Sequence, residues 1–310
     1  MDRDQIIAWL IEEDVSIQYQ VFRDLLKSQK AELQNRIANE GWGKHLLSLR
    51  KADGHWGMGF YQPKWTSTHY TLLDLKNLSI SQKNKEIKET IDHVIKNDKD
   101  PDGGINPAKT VASSDLCICG MFLNYACYFG TKEDGLKSIV DFILSQKLTD
   151  GGFNCRSNRS GATHSSLHTT LSVLEGFLEF RRNNYTYRIA DIKQAELESK
   201  EFILEHKLFQ SHRTGITIDK KMLMLSYPSR WRYDILRALD YFRDSGTPID
   251  MRMMPAIEVL LSKRNKSGTW PLQAKHAGQV HFEMEETGKP SRWNTLRAQR
   301  VMDYFGIWHM

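Results

Sequence analysis

The sequence predicts a nearly all-α protein built from repeated helix pairs. Three observations carry this. Apolar residues recur three and four positions apart, as in Leu167, Leu171, Leu174 and Phe177, which places them on one side of a helix. A glycine turn recurs as Asp53-Gly54, Asp102-Gly103-Gly104, Asp150-Gly151-Gly152 and Ser267-Gly268; Gly54 to Gly103 spans 49 positions and Gly103 to Gly151 spans 48. Strand signals are scarce. A fixed period of this length marks stacked supersecondary units, each unable to bury its apolar face alone.

Residues 5–13 and 16–27 read as two helices, with Ile6, Ile7, Leu10 and Ile11 on the first and Tyr19, Val21, Phe22, Leu25 and Leu26 on the second. Residues 30–39 read as a polar helix. From about Gly41 each unit opens with a helix ending in a similar way: Leu46-Leu47-Ser48-Leu49-Arg50, Val94-Ile95-Lys96-Asn97, Ile143-Leu144-Ser145-Gln146-Lys147, Ile203-Leu204-Glu205-His206-Lys207 and Leu260-Leu261-Ser262-Lys263-Arg264. Four endings lead into a glycine turn. The fourth in order leads into a degenerate one, Ser211-His212-Arg213-Thr214-Gly215. Second helices follow near 66–78, 112–129, 163–181, 229–243 and 291–305. Pro228-Ser229-Arg230-Trp231 recurs as Pro290-Ser291-Arg292-Trp293, and Pro with Ser just ahead of a helix is start chemistry. Residues 1–40 are expected to pack as N-terminal helices on one continuous domain of repeats over 41–310. Six pairs suit an open solenoid or a closed ring equally.

The 310 residues carry a net charge of +5 without a long Lys/Arg run, so nucleic acid is not an expected partner. Met1-Asp2-Arg3-Asp4 is too polar for a signal peptide, and no apolar run is long enough to span a bilayer. Cys117, Cys119, Cys127 and Cys155 are too few for a disulfide framework. A cytoplasmic protein with reduced thiols is expected.

The Gly-Gly-Phe and Gly-Thr-Trp turns, the helix-pair period, and Gly268-Thr269-Trp270 with Gln273 resemble the repeats of the squalene cyclase and protein prenyltransferase β-subunit superfamily, over roughly residues 41–306. The resemblance extends to bacterial squalene-cyclase-like proteins of unknown function. It implies a single-domain (α/α)6 toroid whose inner helices line a central cavity. The chain contains no Asp-Asp dipeptide, so it lacks the protonating Asp-x-Asp-Asp of the cyclases and the Asp-Asp-x-x-Asp that holds Mg-diphosphate.

The second helices start at Trp65 and His69, Asp115 and Cys117, His164 and His168, Arg230 and Tyr233, and Arg292 and Asn294. If these helices line a cavity, the groups converge at its mouth, where helix N-termini favour an anion; the same residues serve equally as caps and polar helix ends. In protein prenyltransferase β-subunits an Asp-x-Cys and a His one repeat on bind zinc, and the resemblance carries this to Asp115, Cys117 and His168. A thiolate, an imidazole and a carboxylate suit Zn²⁺ with one position open for a substrate thiolate or water. His164, His168 and Glu175 would share one helix face if the helix begins at 163.

On the enzymatic reading, zinc-dependent prenyl transfer, the expected partner is a small apolar ligand or isoprenoid diphosphate. Arg213, Arg230 and Arg292 would face the diphosphate, and Trp65, Trp231 and Trp293 with His164 and Asn294 would line the ligand. His69, Tyr233, Glu283 and Glu285 are the candidate acid–base groups. Two other classes stay open: a carbohydrate-active (α/α)6 enzyme using Glu283, Glu285 and Asp115, and a non-catalytic binding or scaffold protein. Oligomeric state is not readable.

Overall fold

The computed structural model describes residues 1–107 and 112–308, and these are mostly helical. In chain order the helices are α1 (Arg3–Ile11), α2 (Val15–Gln20) running into a π-helical turn (Val21–Leu25), α3 (Ala31–Arg36), α4 (Gly41–Ser48), α5 (Thr68–Asn77), α6 (Lys85–Asn97), α7 (Leu116–Tyr128), α8 (Glu133–Ser145), the short α9 (Ser157–Ser160), α10 (Leu167–Arg182), α11 (Ile189–Glu205), α12 (Ile235–Asp244), α13 (Met254–Ser262) and α14 (Arg292–Phe305). Two-residue strands β1 (Trp270–Pro271) and β2 (Pro290–Ser291) pair antiparallel. In sequence order the expected first helices correspond to α4, α6, α8, α11 and α13, and the second helices to α5, α7, α10, α12 and α14.

The two members of a pair differ in burial, for reasons legible in their residues. The first helices are amphipathic. In α6 the buried residues are Ile87, Thr90, Ile91 and Val94, one stripe at helical spacing, and Asn84 caps the N-terminus by accepting from the Ile87 N–H at 3.1 Å. The second helices are buried nearly all round: every residue of α7 from Leu116 to Cys127 is buried, as is every residue of α12 from Ile235 to Phe242. A helix buried on all sides belongs to the interior.

Four turns share one construction. Gly54, Gly103, Gly151 and Gly268 have φ of 85°, 90°, 90° and 86°, a conformation that costs a side-chain-bearing residue steric energy and glycine almost none. In each turn the glycine N–H donates to the carbonyl three residues back: Lys51, Asp100, Leu148 and Asn265. The apolar residue that follows is fully buried in every copy, and its N–H donates to a side chain on the second helix. Trp56 reaches Thr68 Oγ1 at 3.0 Å, Ile105 reaches Cys119 Sγ at 3.2 Å, Phe153 reaches Thr170 Oγ1 at 3.0 Å, and Trp270 reaches Thr295 Oγ1 at 2.9 Å. The turn acid adds a second tie: Asp102 accepts from Ser114 N–H and Oγ–H, and Asp150 from Ser165 N–H and Oγ–H. The degenerate turn is built differently. Ser211–Gly215 closes a small hairpin in which Ser211 N–H donates to Ile216 O.

The chain forms two compact units. One comprises Met1–Leu49, Asn77–Ser81 and Leu204–Met310, the other Arg50–Lys76 and Gln82–Ile203. Within the first, α12 packs on α14, and α14 packs on α2 and its π-helical extension, so the N-terminal helices meet the last helix. The contact is ionic at its centre. The half-buried Arg300 guanidinium sits between the buried Asp24, at 2.8 Å, and Asp240, with Nε to Oδ1 at 2.8 Å. Arg23 braces Asp24 at 2.6 Å and Arg243 braces Asp240 at 3.0 Å. Burial alone would raise both carboxyls, but the Arg23 hydrogen bond and Arg300 charge on Asp24, and the Arg300 and Arg243 charges on Asp240, hold both below the usual carboxylate range.

In the second unit α7 and α10 lie against each other at two glycines. A Cβ on Gly120 would fall 2.8 Å from the Ser172 backbone, and one on Gly176 would fall 2.6 Å from Gly120 O. Only glycine permits that approach.

Two expectations follow. Thr170→Val keeps the shape but leaves the Phe153 N–H buried without its acceptor, so urea denaturation should show a loss of about 1–3 kcal/mol. Arg300→Met leaves two buried carboxylates short of a partner and should cost about 3–5 kcal/mol at neutral pH. Because both acids titrate lower in the folded chain, their contribution is complete above the unfolded value of about 3.9 and is lost as pH falls through the folded values. The deficit of Arg300→Met should therefore shrink on acidification; a constant deficit would contradict the assignment.

Candidate metal centre

The centre is assembled at the starts of α7 and α10. Asp115 is the N-cap of α7, in extended conformation, and its Oδ1 accepts from the Ile118 N–H at 3.1 Å. Cys117 follows in the first turn. Cys155 lies two residues beyond Phe153, on the loop that leaves the third glycine turn. One ligand atom from each of Asp115, Cys117 and Cys155 lies within 4.8 Å of the others. Thr169, on α10, ties the two cysteines together: its Oγ1 is 3.1 Å from Cys117 Sγ and accepts from the Cys155 N–H at 3.1 Å. Cys117 is buried, while Asp115 and Cys155 are half-buried, so the group opens to solvent on the helix-start side.

A hydrogen bond from Cys155, then burial, then the Asp115 charge push the Cys117 thiol up, with Thr169 opposing. Two sulfurs and a carboxylate thus crowd together in a place that disfavours further negative charge. A bound cation reverses that balance, which is why thiolate clusters bind metal with release of protons. The donor set, one carboxylate and two thiols at the mouth of a buried helix pair, fits a borderline-soft, tetrahedral ion such as zinc.

This differs from the sequence expectation at one ligand. The third member of the group is Cys155, and His168 is outside it. His168 is half-buried on α10 and occupies the register of Cys117 one repeat on: each lies two residues before its helix's acceptor from the turn, Thr170 or Cys119. Cys119 faces elsewhere, accepting from Ile105 N–H, and burial pushes its thiol up. Cys155 was visible only as a count. Its usable signal is its place just past the turn, since each turn is pinned beneath its own second helix.

Beside the centre stands a cluster of rings. Trp65 meets Tyr70 edge to face at 4.9 Å, Tyr61 and Tyr70 hydroxyls are 3.2 Å apart, and His69 touches Phe60, Tyr61 and Tyr70. The Tyr70 hydroxyl is pushed up by burial and Tyr61, with smaller contributions from the nearby Cys117 and Asp115. His69 is fully buried. Its Nδ1 pairs with the Tyr125 hydroxyl at 3.1 Å, Nε2 has no protein partner, and burial followed by the Lys64 charge pushes the imidazole down to about 3.

The other sequence candidates are not gathered at this centre. His164 is exposed and lies ahead of α10, which begins at Leu167, so the helical spacing expected for His164, His168 and Glu175 does not hold. Its carbonyl accepts from Asn154 Nδ2. In the other unit the twin Pro-Ser-Arg-Trp motifs are not equivalent, contrary to expectation. Ser291 caps α14 directly, whereas Arg230 sits in a turn with φ 51° and Asp234 caps α12. Asp234 is the stronger start signal and moves the helix five residues downstream. Arg230 is buried and Trp231 half-buried, with the Arg232 guanidinium 5.6 Å from the Trp231 ring. Arg292 pairs with Glu13 at 2.5 Å and stacks on Trp9 at 4.5 Å, while Arg213 is exposed on the hairpin.

Glu285 and Glu283 have different partners. The Glu285 carboxylate caps α14, accepting from Ser291 Oγ, Arg292 N–H and Trp293 N–H, and Glu283 pairs with Lys275 at 2.8 Å. The Tyr233 hydroxyl donates to Leu208 O at 2.5 Å. Trp293 stacks on Tyr227 at 4.5 Å, and Asn294 donates to Pro271 O.

Comparison with known proteins finds no family model that matches the chain and no curated protein that matches it. Among the described residues no helix is long and apolar enough to cross a membrane.

The His69 imidazole should stay neutral across the physiological range. Its ring proton shifts in NMR should not titrate between about pH 8 and about pH 5. Because the unfolded chain takes a proton near pH 6.5 and the folded site near 3, the His69 contribution to stability should fall by about 1.4 kcal/mol per pH unit below about 6.5, and His69→Gln should flatten the stability curve by that amount.

Proposed function

We propose that this chain is an (α/α)6 toroid of the squalene cyclase and prenyltransferase type that holds zinc and binds an apolar, isoprenoid-like ligand. The observation that carries the reading is the convergence of Asp115, Cys117 and Cys155 beside the ring cluster of Phe60, Tyr61, Trp65 and Tyr70. The glycine-turn repeat, with its buried second helices, supports the toroid. Four free cysteines suit a reducing, cytoplasm-like compartment.

In this reading Asp115, Cys117 and Cys155 are the protein ligands, and one tetrahedral position stays open on the half-buried side. Zinc bound there would supply the charge that keeps a substrate thiol ionised, or polarise a water, at neutral pH. Thr169 fixes the positions of both cysteine ligands. The tyrosine hydroxyls of residues 61 and 70 offer donors next to the ligands, and the ring faces provide an apolar wall that stabilises positive charge developing on an allylic carbon. The resemblance favours prenyl transfer to a thiol as the reaction.

Elemental analysis of purified protein should find about one zinc per chain. Cys117→Ala and Cys155→Ala should each abolish it while Cys119→Ala retains it. An isoprenoid diphosphate should raise the melting temperature of the zinc-loaded protein, with Tyr70→Phe weakening the effect. Metal-free protein that cannot be loaded, or zinc retained in Cys155→Ala, would overturn the reading.

A further inference from the structure

Two thiols that share a hydrogen-bond bridge and differ in access form the basic geometry of a redox pair. Cys117 and Cys155 have their sulfurs within 4.8 Å, and Thr169 Oγ1 contacts both residues at 3.1 Å. Cys117 belongs to the first turn of a buried helix, held by the close approach at Gly120 and Gly176. Cys155 is half-buried in a turn on the loop after Gly152, outside the regular helices. The remaining pair, Cys119 and Cys127, is fully buried.

We propose that Cys117 and Cys155 are a peroxide-sensitive thiol pair that closes to a reversible disulfide. Cys155 is the more accessible member and is oxidised first: its sulfur takes one oxygen from a hydroperoxide, giving a sulfenic acid and one water (or alcohol). Cys117 then attacks the Cys155 sulfur, the S–O bond breaks, and the departing hydroxide leaves as water with the Cys117 proton. In sum, two thiols give up two hydrogens and two electrons, and hydrogen peroxide becomes two waters. A dithiol reductant reverses the step by exchange. Closure needs the sulfurs to move to about 2.05 Å, and the loop carrying Cys155 supplies the movement. Cys119 cannot substitute, because its sulfur is engaged with Ile105 on the other side of the helix. A further consequence rests on the zinc reading: the disulfide consumes two of the three ligands, so oxidation should expel the metal.

The test uses full-length protein in two forms, stripped by a chelator and loaded with zinc. Each is treated with hydrogen peroxide, blocked with N-ethylmaleimide, digested and analysed by mass spectrometry. In the stripped form we expect a peptide crosslink joining Cys117 to Cys155, lost on reduction with dithiothreitol, and Cys117 left reduced in Cys155→Ser. Cys155 accumulating as sulfinic acid with Cys117 untouched, or crosslinks mainly between two chains, would overturn the pair. In the loaded form peroxide should release zinc in step with the crosslink. A crosslink without zinc ever having bound would keep the pair and reject only the metal reading; zinc bound without any crosslink would do the opposite.

Discussion

The hydrogen bond from the turn to the second helix is the constraint on which the rest depends. A backbone N–H that is buried without a partner costs about 1–3 kcal/mol, so each turn must place its apolar residue where a hydroxyl or thiol of the following helix can receive it. Trp56, Ile105, Phe153 and Trp270 do so with the same geometry. That single contact fixes the height of each second helix against its turn. With Phe153 pinned to Thr170, Cys155 is carried to Thr169; with Ile105 pinned to Cys119, Asp115 and Cys117 are set at the top of α7. The glycines at 120 and 176 then bring α7 and α10 close enough for the three ligand residues to meet. The meeting of Asp115, Cys117 and Cys155 is thus a by-product of repeat construction, placed at positions the repeat leaves free.

A different device secures the meeting of the N-terminal and last helices in the other unit. Arg300 is held between two acids, each braced by another arginine. Burying such charges is expensive unless every partner is present, so the contact is specific in register more than it is strong. The π-helical turn at Val21–Leu25 carries both Arg23 and Asp24 into this network, which gives a local irregularity a structural purpose.

Much of this was legible in the residues. The helices follow from apolar spacing, and the turns from Gly54, Gly103, Gly151 and Gly268, because a positive φ leaves a clear mark in the sequence. The site was legible by half. Asp115 and Cys117 lie together in sequence, and their cap-plus-first-turn placement follows from Ser113-Ser114-Asp115. Cys155 is a long-range partner brought in by the turn, and periodicity carries no information about which loop residue ends beneath which helix. The identical strings Pro-Ser-Arg-Trp misled for a physical reason: helix starts are decided by competition among nearby caps, and Asp234 wins after the first string while Ser291 wins within the second. Glu283 and Glu285 looked like paired acids because sequence adjacency hides that one is a helix cap and the other a surface ion pair.

Zinc-edge X-ray absorption of the loaded protein tests the central claim most directly, because it counts ligand types without a substrate. The account predicts two sulfur neighbours at about 2.3 Å and lighter oxygen neighbours at about 2.0–2.2 Å. A single sulfur with the multiple-scattering pattern of an imidazole would contradict it and return His168 to the ligand set in place of Cys155.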